Sequence, residues 1–376
     1  MELKDKKKYK VLFVLHLPPP VHGAAIANSY IKNSNLINSD HETDYVSLAT
    51  NTVLDQTGKG SFKKLITFAA ILKNITRLLR SKKYDLCYVS LTASGPAFYK
   101  DAIVVALLKL FKQKIIYHFH NKGVSFTRQN AVNQALYKFV FKNTKVILLS
   151  KYLYPDIAKY VSEDDVYYCP YGIPASTIVR DSVGFKETDN HLSLLYLSNM
   201  MIEKGVFVLL EACSILKSQN VKFRCNFVGG WTDITPAEFE RYLVDHDLQD
   251  VVVAHGPKYA EEKLAFFDNS DVFIFPTFYH YETFGLVNLE AMQHSIPIIS
   301  TKEGGIPDVV VDGETGFLVN KQNPTELAER ISYFASHPME AIIMGEKGKK
   351  RFDEHFTMEK FEKNISEIIT KAISNN

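Results

Sequence analysis

Short apolar runs rich in Val, Ile, Leu, Phe and Tyr recur along this chain, with helix-like stretches between them. No feature restricts the fold more. Lys10–Leu17, Leu86–Leu91 and Lys114–His120 are apolar on successive residues, so such strands need cover on both faces. Asp44–Leu48, Lys145–Ser150 and Val166–Cys169 read as further strands. Helices are predicted at Ala24–Asn33, Phe62–Arg80, Ala102–Phe111 and Asn130–Phe141. Strands separated by helices give a parallel sheet with right-handed crossovers. Residues 175–190 are polar and aperiodic and read as a linker. A second series then begins. Its strands are Leu192–Leu197, Phe223–Val228, Val251–Ala254, Val272–Phe275 and Ile298–Ser300. Its helices are Val206–Ser218, Pro236–Asp245, Ala260–Asp268, Gly285–His294, Pro324–Ser336, Met339–Glu354 and Met358–Ser374. The expectation is an α/β chain of two Rossmann-like, doubly wound domains facing each other across a cleft at the strand carboxyl ends.

A length of 376 residues suits two such domains. With 46% hydrophobic and 23% charged residues, disordered and fibrous classes are excluded. The longest apolar run, Ala102–Leu108, is far short of the roughly 20 residues that span a bilayer. Residues 1–10 are basic, but the apolar stretch after them runs into three prolines, so no signal peptide is expected. Cys87, Cys169, Cys213 and Cys225 lack metal-ligand spacing and read as reduced thiols of a cytoplasmic protein. The net charge of +2 hides an asymmetry: residues 1–180 carry 26 Lys and Arg against 12 Asp and Glu, and the remainder 18 against 30. A basic half implies an anionic partner. No nucleic-acid module is present, which removes that class. The cations Lys63, Lys64, Lys73, Arg77, Arg80, Lys82 and Lys83 accompany an amphipathic helix. They form either a solvated face or a peripheral contact with anionic lipid at the inner face of a membrane.

The segment from Phe275 to Ala291 carries the most chemistry. A buried strand ends at Pro276, a loop carries Glu282, and a helix opens near Phe284 and Gly285. Unpaired amides at the positive end of a helix form an anion site, and Gly285 lets a ligand approach the backbone. Glu290, two turns on, can accept a pair of vicinal hydroxyls. Two carboxylates around a phosphate-binding helix end suit a nucleoside-diphosphate sugar. Lys204, in Ser198–Gly205 after the first strand of the second series, is a flexible cation for a phosphate oxygen. Asp245-His246-Asp247 has Asp-x-Asp spacing, but it sits where acids commonly end helices, and no metal or other cofactor is expected.

Glu282 and Glu290 resemble the Glu-x7-Glu signature of retaining GT-B glycosyltransferases of family 4, the glycosyl transferases group 1. The same order recurs in His22-Gly23, His118 and His120, Pro170-Tyr171-Gly172-Ile173, Lys204-Gly205, Gly229-Gly230, Gly304-Gly305 and Thr315-Gly316-Phe317. The resemblance implies an acceptor-side domain at 1–180, with helix 358–376 packing back on it, and a donor domain at 185–357. It implies that Glu290 holds ribose hydroxyls and Glu282 faces the donor sugar. The amides of Phe284, Gly285 and Leu286 would cradle the diphosphate, with Lys204 adding charge. Gly23 would let its loop close over the donor, and His120, or else His118, would contact the donor sugar.

The family usually places Arg five residues before the Lys, where this chain has Asn199, so one charge-assisted contact is missing. Lys258 is one candidate replacement. The implied activity is sugar transfer from a UDP- or GDP-linked donor to a glycan or polyprenyl-diphosphate-linked acceptor in bacterial surface polysaccharide synthesis. The alternatives are a nucleotide-sugar epimerase and a non-catalytic nucleotide-sugar-binding partner.

Overall fold

A computed structural model describes residues 8–19, 23–50, 61–127, 130–176 and 191–374 of the protein. Residues 177–190, which hold most of the expected linker, lie outside the described residues, and so does His22. Contacts divide the chain into two compact units, Met1–Gly172 with Glu359–Asn376, and Ile173–Met358.

The first unit holds six parallel strands: β1 (Lys10–Leu15), β2 (Glu42–Ser47), β3 (Leu86–Leu91), β4 (Ile115–Phe119), β5 (Lys145–Leu148) and β6 (Val166–Tyr168). Their order is β2-β1-β3-β4-β5-β6, so the winding reverses between β1 and β3. Every residue of β3 and β4 is buried, as covered parallel strands require. The helix after β3 starts at Gly95, seven residues before the expected Ala102. Pro96 falls in its first turn, where a missing N–H costs no hydrogen bond. The added turns carry Lys100 and Asp101. The last helix, Met358–Ser374, docks on this unit through Ser366, whose hydroxyl meets His41 Nε2 (3.1 Å) and donates to Asp40 (2.7 Å).

The second unit holds β7 (Leu192–Leu197), β8 (Phe223–Val228), β9 (Val252–Ala254), β10 (Val272–Phe275), β11 (Ile298–Thr301) and β12 (Gly316–Val319), all parallel in the order β12-β11-β10-β7-β8-β9. The winding reverses between β7 and β10. Tyr196, Phe223, Phe227 and Phe239 form the core beside β7 and β8, each contributing about 1.5–3 kcal/mol by burial. Thr235 and Glu238 close a capping box that fixes the start of helix Pro236–Asp245. The four cysteines are free and buried. No helix among the described residues is long and apolar enough to cross a membrane.

Candidate functional site

In an open parallel sheet, ligands bind beyond the strand carboxyl ends where the order reverses. In the second unit that place lies between the segments after β7 and β10. Those segments are tied together by backbone: Phe278 N–H donates to Glu203 O at 2.8 Å. Gly205 makes the approach possible. It has φ +85°, and a Cβ there would meet Pro276 O at 2.3 Å. Gly304, φ +53°, passes equally close to Glu282 O, and Gly305 N–H donates to Thr283 O at 2.7 Å. Three loops are thereby held around Glu282.

Glu282 lies at the centre of this seat. One carboxylate oxygen receives Lys204 Nζ at 2.6 Å. The other accepts the N–H of Gly285 at 3.0 Å and of Thr283 at 3.2 Å, with Phe284 N–H at 3.4 Å. Leu286 opens the helix Leu286–Gln293 directly behind them. The Lys204 and Glu282 side chains are only 15% and 12% exposed, so the pair is nearly desolvated. Lys204 Nζ also lies 4.5 Å from the Tyr279 ring centroid, a cation–π contact. Burial, then the carboxylates of Glu203 and Glu282, pushes the Tyr279 phenol up. Of the groups expected to hold a phosphate, Lys204 and the amides of Phe284 and Gly285 therefore converge on one oxyanion, and the chain's own carboxylate occupies the seat.

Glu290 stands four residues into the same helix. Lys263 Nζ binds its Oε1 at 2.8 Å, and its Oε2 is buried with no hydrogen-bond partner among the described residues. Asn199 is exposed at the end of β7. Lys258 pairs with Glu262 at 3.4 Å. In Asp245-His246-Asp247, Asp247 pairs with Lys217 at 3.1 Å and His246 Nδ1 bonds Tyr242 O at 2.9 Å, so this stretch ends a helix.

The candidate histidines His118 and His120 belong to the first unit. His120 is nearly buried, with both ring nitrogens engaged: Nε2 on Asn28 Oδ1 (3.0 Å) and Nδ1 on the Tyr171 hydroxyl (2.6 Å). Asn28 uses its Nδ2 to donate to His16 O (3.1 Å) and to Ser90 Oγ (3.0 Å). Its Oδ1 therefore accepts from His120 Nε2–H, and a neutral His120 takes the Tyr171 proton donor on Nδ1. His118 is fully enclosed, bonded through Nδ1 to Tyr88, and burial pushes its imidazole down to about 3. It packs 4.2 Å from His120, centroid to centroid, and has no exposed surface to offer a ligand. Gly23, the first residue of helix Gly23–Asn33, is exposed.

Sequence reasoning missed Lys263, Tyr279 and Asn28. Each acts through a partner remote in sequence. Lys263, on the helix before β10, is 27 residues from Glu290.

Residues 178–351 match the family described as glycosyl transferases group 1. The capsular polysaccharide biosynthesis glycosyltransferase CapM of Staphylococcus aureus is 30% identical over 162 residues, 43% of this chain and 41% of CapM. The chain spans about two fifths of the length of the curated relatives it matches at this level. A glycosyltransferase structure from Rickettsia africae superposes with a TM-score of 0.75 at 19% identity, covering 98% of this chain and 100% of that one. HepE of Anabaena, solved with UDP and glucose, gives a TM-score of 0.70 at 16% identity over 96% of this chain and 99% of its own. The fold class is the expected one, GT-B, with two α/β units built on parallel sheets.

Proposed function

We propose that this chain, whose residues 178–351 belong to the glycosyl transferases group 1, moves a sugar from a nucleoside diphosphate to a hydroxyl of a glycan or lipid-linked acceptor, with retention at the anomeric carbon. The observation that carries the reading is the Glu282 seat. Lys204 Nζ and the amides of Thr283 and Gly285 already hold an oxyanion where the strand order reverses. A donor's β-phosphate would take over those groups and release Glu282 toward the sugar. As the bond from C1 to the β-phosphate breaks, Lys204 and the helix amides would stabilise the charge that develops on the leaving diphosphate. Ribose hydroxyls would donate to Glu290, whose buried Oε2 lacks a donor among the described residues. His120, fixed by Asn28 and Tyr171, would line the acceptor side of the reaction as a polar wall.

HepE's complex with UDP favours a uridine donor, and the name of CapM favours a surface polysaccharide as product. Helix Ser61–Ser81 presents Leu65 and Ile66, 62% and 56% exposed, beside Lys63 and Lys64. That composition suits peripheral contact with an anionic bilayer next to a lipid-linked acceptor. Asn199 favours one rival: a protein that binds the donor without turning it over.

The test is a thermal-shift screen against UDP, GDP, ADP, TDP and their sugars, repeated with Glu290→Ala. The expected result is a rise in melting temperature for one base family, lost in the variant. No rise with any nucleotide at millimolar concentration overturns the donor site. Binding with no breakdown of any donor supports the rival.

A further inference from the structure

Three helices cover one face of the first sheet: Ser61–Ser81 between β2 and β3, Gly95–Leu110 between β3 and β4, and Ala131–Phe141 between β4 and β5. All three connections step the same way along the sheet, so right-handed crossovers put these helices side by side on that face. The second and third are tied at both ends. The Tyr99 hydroxyl donates to Asn133 Oδ1 at 2.7 Å, and Lys109 Nζ stands 5.5 Å from the Phe139 ring centroid. The first packs against the second. The outer surface of this layer has two properties that the transfer reaction does not use.

The first property is an apolar stripe. Helix Gly95–Leu110 buries Phe98, Val105 and Leu108 on its inner side. On the opposite side Tyr99, Ile103, Ala106 and Leu110 recur at helical spacing and are exposed, Ile103 by 51% and Leu110 by 77%. A helix that is apolar all round is normally covered all round; this one is covered on one side among the described residues. Val132, Ala135 and Phe139 carry the exposed stripe onto the third helix, and Leu65 and Ile66 onto the first. The second property is charge. Every charged residue of the three helices is Lys or Arg except Asp101, which is fully buried. Lys73, Arg77 and Lys138 are exposed. These helices thus present an apolar band flanked by cations, with no carboxylate at their surface.

We propose that this helix layer lies against an anionic bilayer, with Ile103, Leu110 and Phe139 entering the headgroup boundary and the flanking cations meeting lipid phosphates. A bilayer supplies both the apolar cover that the stripe lacks and the negative charge that complements the cations. A second copy of this chain docked face to face would set cation against cation across the two-fold axis, with no acid on these helices to answer. The proposal widens the contact read above for helix Ser61–Ser81 to the two helices beside it, and rests on that reading for the class of partner. It draws nothing from the transfer chemistry.

The four native cysteines are free and buried, so one added surface cysteine in the full chain can carry the environment-sensitive dye NBD. Leu65→Cys, Ile103→Cys and Phe139→Cys probe the three helices, and Val244→Cys, 61% exposed in the second unit, is the control. Each is mixed with phosphatidylcholine vesicles, with or without about one third phosphatidylglycerol. The Ile103 and Phe139 probes should brighten and shift to the blue with the anionic vesicles only, and the Val244 probe should not. Ile103→Ser combined with Leu110→Ser should weaken vesicle partitioning in flotation by about 10-fold or more. Its melting temperature should stay close to that of the wild type, because both side chains are exposed. A response of the Leu65 probe alone overturns the wider layer and leaves the contact of helix Ser61–Ser81 standing. No response from any probe overturns both. A double variant that partitions as well as the wild type overturns the proposal. So does an Ile103 signal that appears without vesicles and grows with protein concentration, which assigns the face to a second copy of this chain.

Discussion

Glu282→Gln separates two roles that one carboxylate plays in this structure. In the free protein Glu282 fills the anion seat, held by Lys204 at 2.6 Å and by the Gly285 amide at 3.0 Å. A nucleoside diphosphate must displace it. Glutamine keeps the size and one acceptor oxygen but gives up the charge. A hydrogen bond to a charged group contributes about 1.5–3 kcal/mol against about 1 kcal/mol for a neutral one. The competitor is thus weakened by about 0.5–2 kcal/mol, a factor of roughly 2–30. The expected result is tighter binding of UDP or GDP by that factor in isothermal titration. The same variant should transfer sugar about 10–100-fold more slowly, because the carboxylate released toward the donor is gone. Lys204→Met should weaken binding and transfer together, since it removes the cation and strands a nearly buried carboxylate. Equal or weaker nucleotide binding by Glu282→Gln would refute the idea that the carboxylate stands in the phosphate's place.

Gly205→Ala puts a methyl group 2.3 Å from Pro276 O at φ +85°, so the loops after β7 and β10 must part; nucleotide-induced stabilisation in a thermal-shift assay should disappear. Lys263→Met should weaken nucleotide binding severalfold in titration calorimetry, because Glu290 loses the ion pair that aims it. His118 titrates at about 3 in the fold against 6.5 as a free side chain. The unfolded chain therefore binds the extra proton between these values, and stability falls as pH drops through that window. His118→Gln should flatten the fall of melting temperature between pH 7 and 4; an unchanged slope would assign that loss to other groups.

The sheets were legible because buried parallel strands are apolar on consecutive residues. Leu86–Leu91, Leu192–Leu197, Phe223–Val228 and Val272–Phe275 begin and end where the pattern does. β12 was not legible as a strand. It is four residues long and begins at Gly316, directly after a turn, so its signal is shorter than a strand pattern. The helix Gly95–Leu110 was read seven residues short because Gly95 and Pro96 look like loop chemistry, although both fit a first turn.

Pairing was the part of the site that residue types could not convey. Glu282, Lys204 and Gly285 were each visible as candidates, since a loop carboxylate, a cation after a strand and a glycine at a helix start have their own signatures. That they satisfy one another was not visible, because Lys204 and Glu282 lie 78 residues apart and meet only where β7 and β10 are neighbours. The same limit hid His16 and Asp101, separated by 85 residues and joined across β1 and β3. In both units the reversal of strand order brings a segment from early in the unit against one from much later. A charged residue at the end of the first strand of such a sheet therefore has its partner after the strand beyond the reversal. Sheet order, once known, narrows the search for that partner to a single loop or helix.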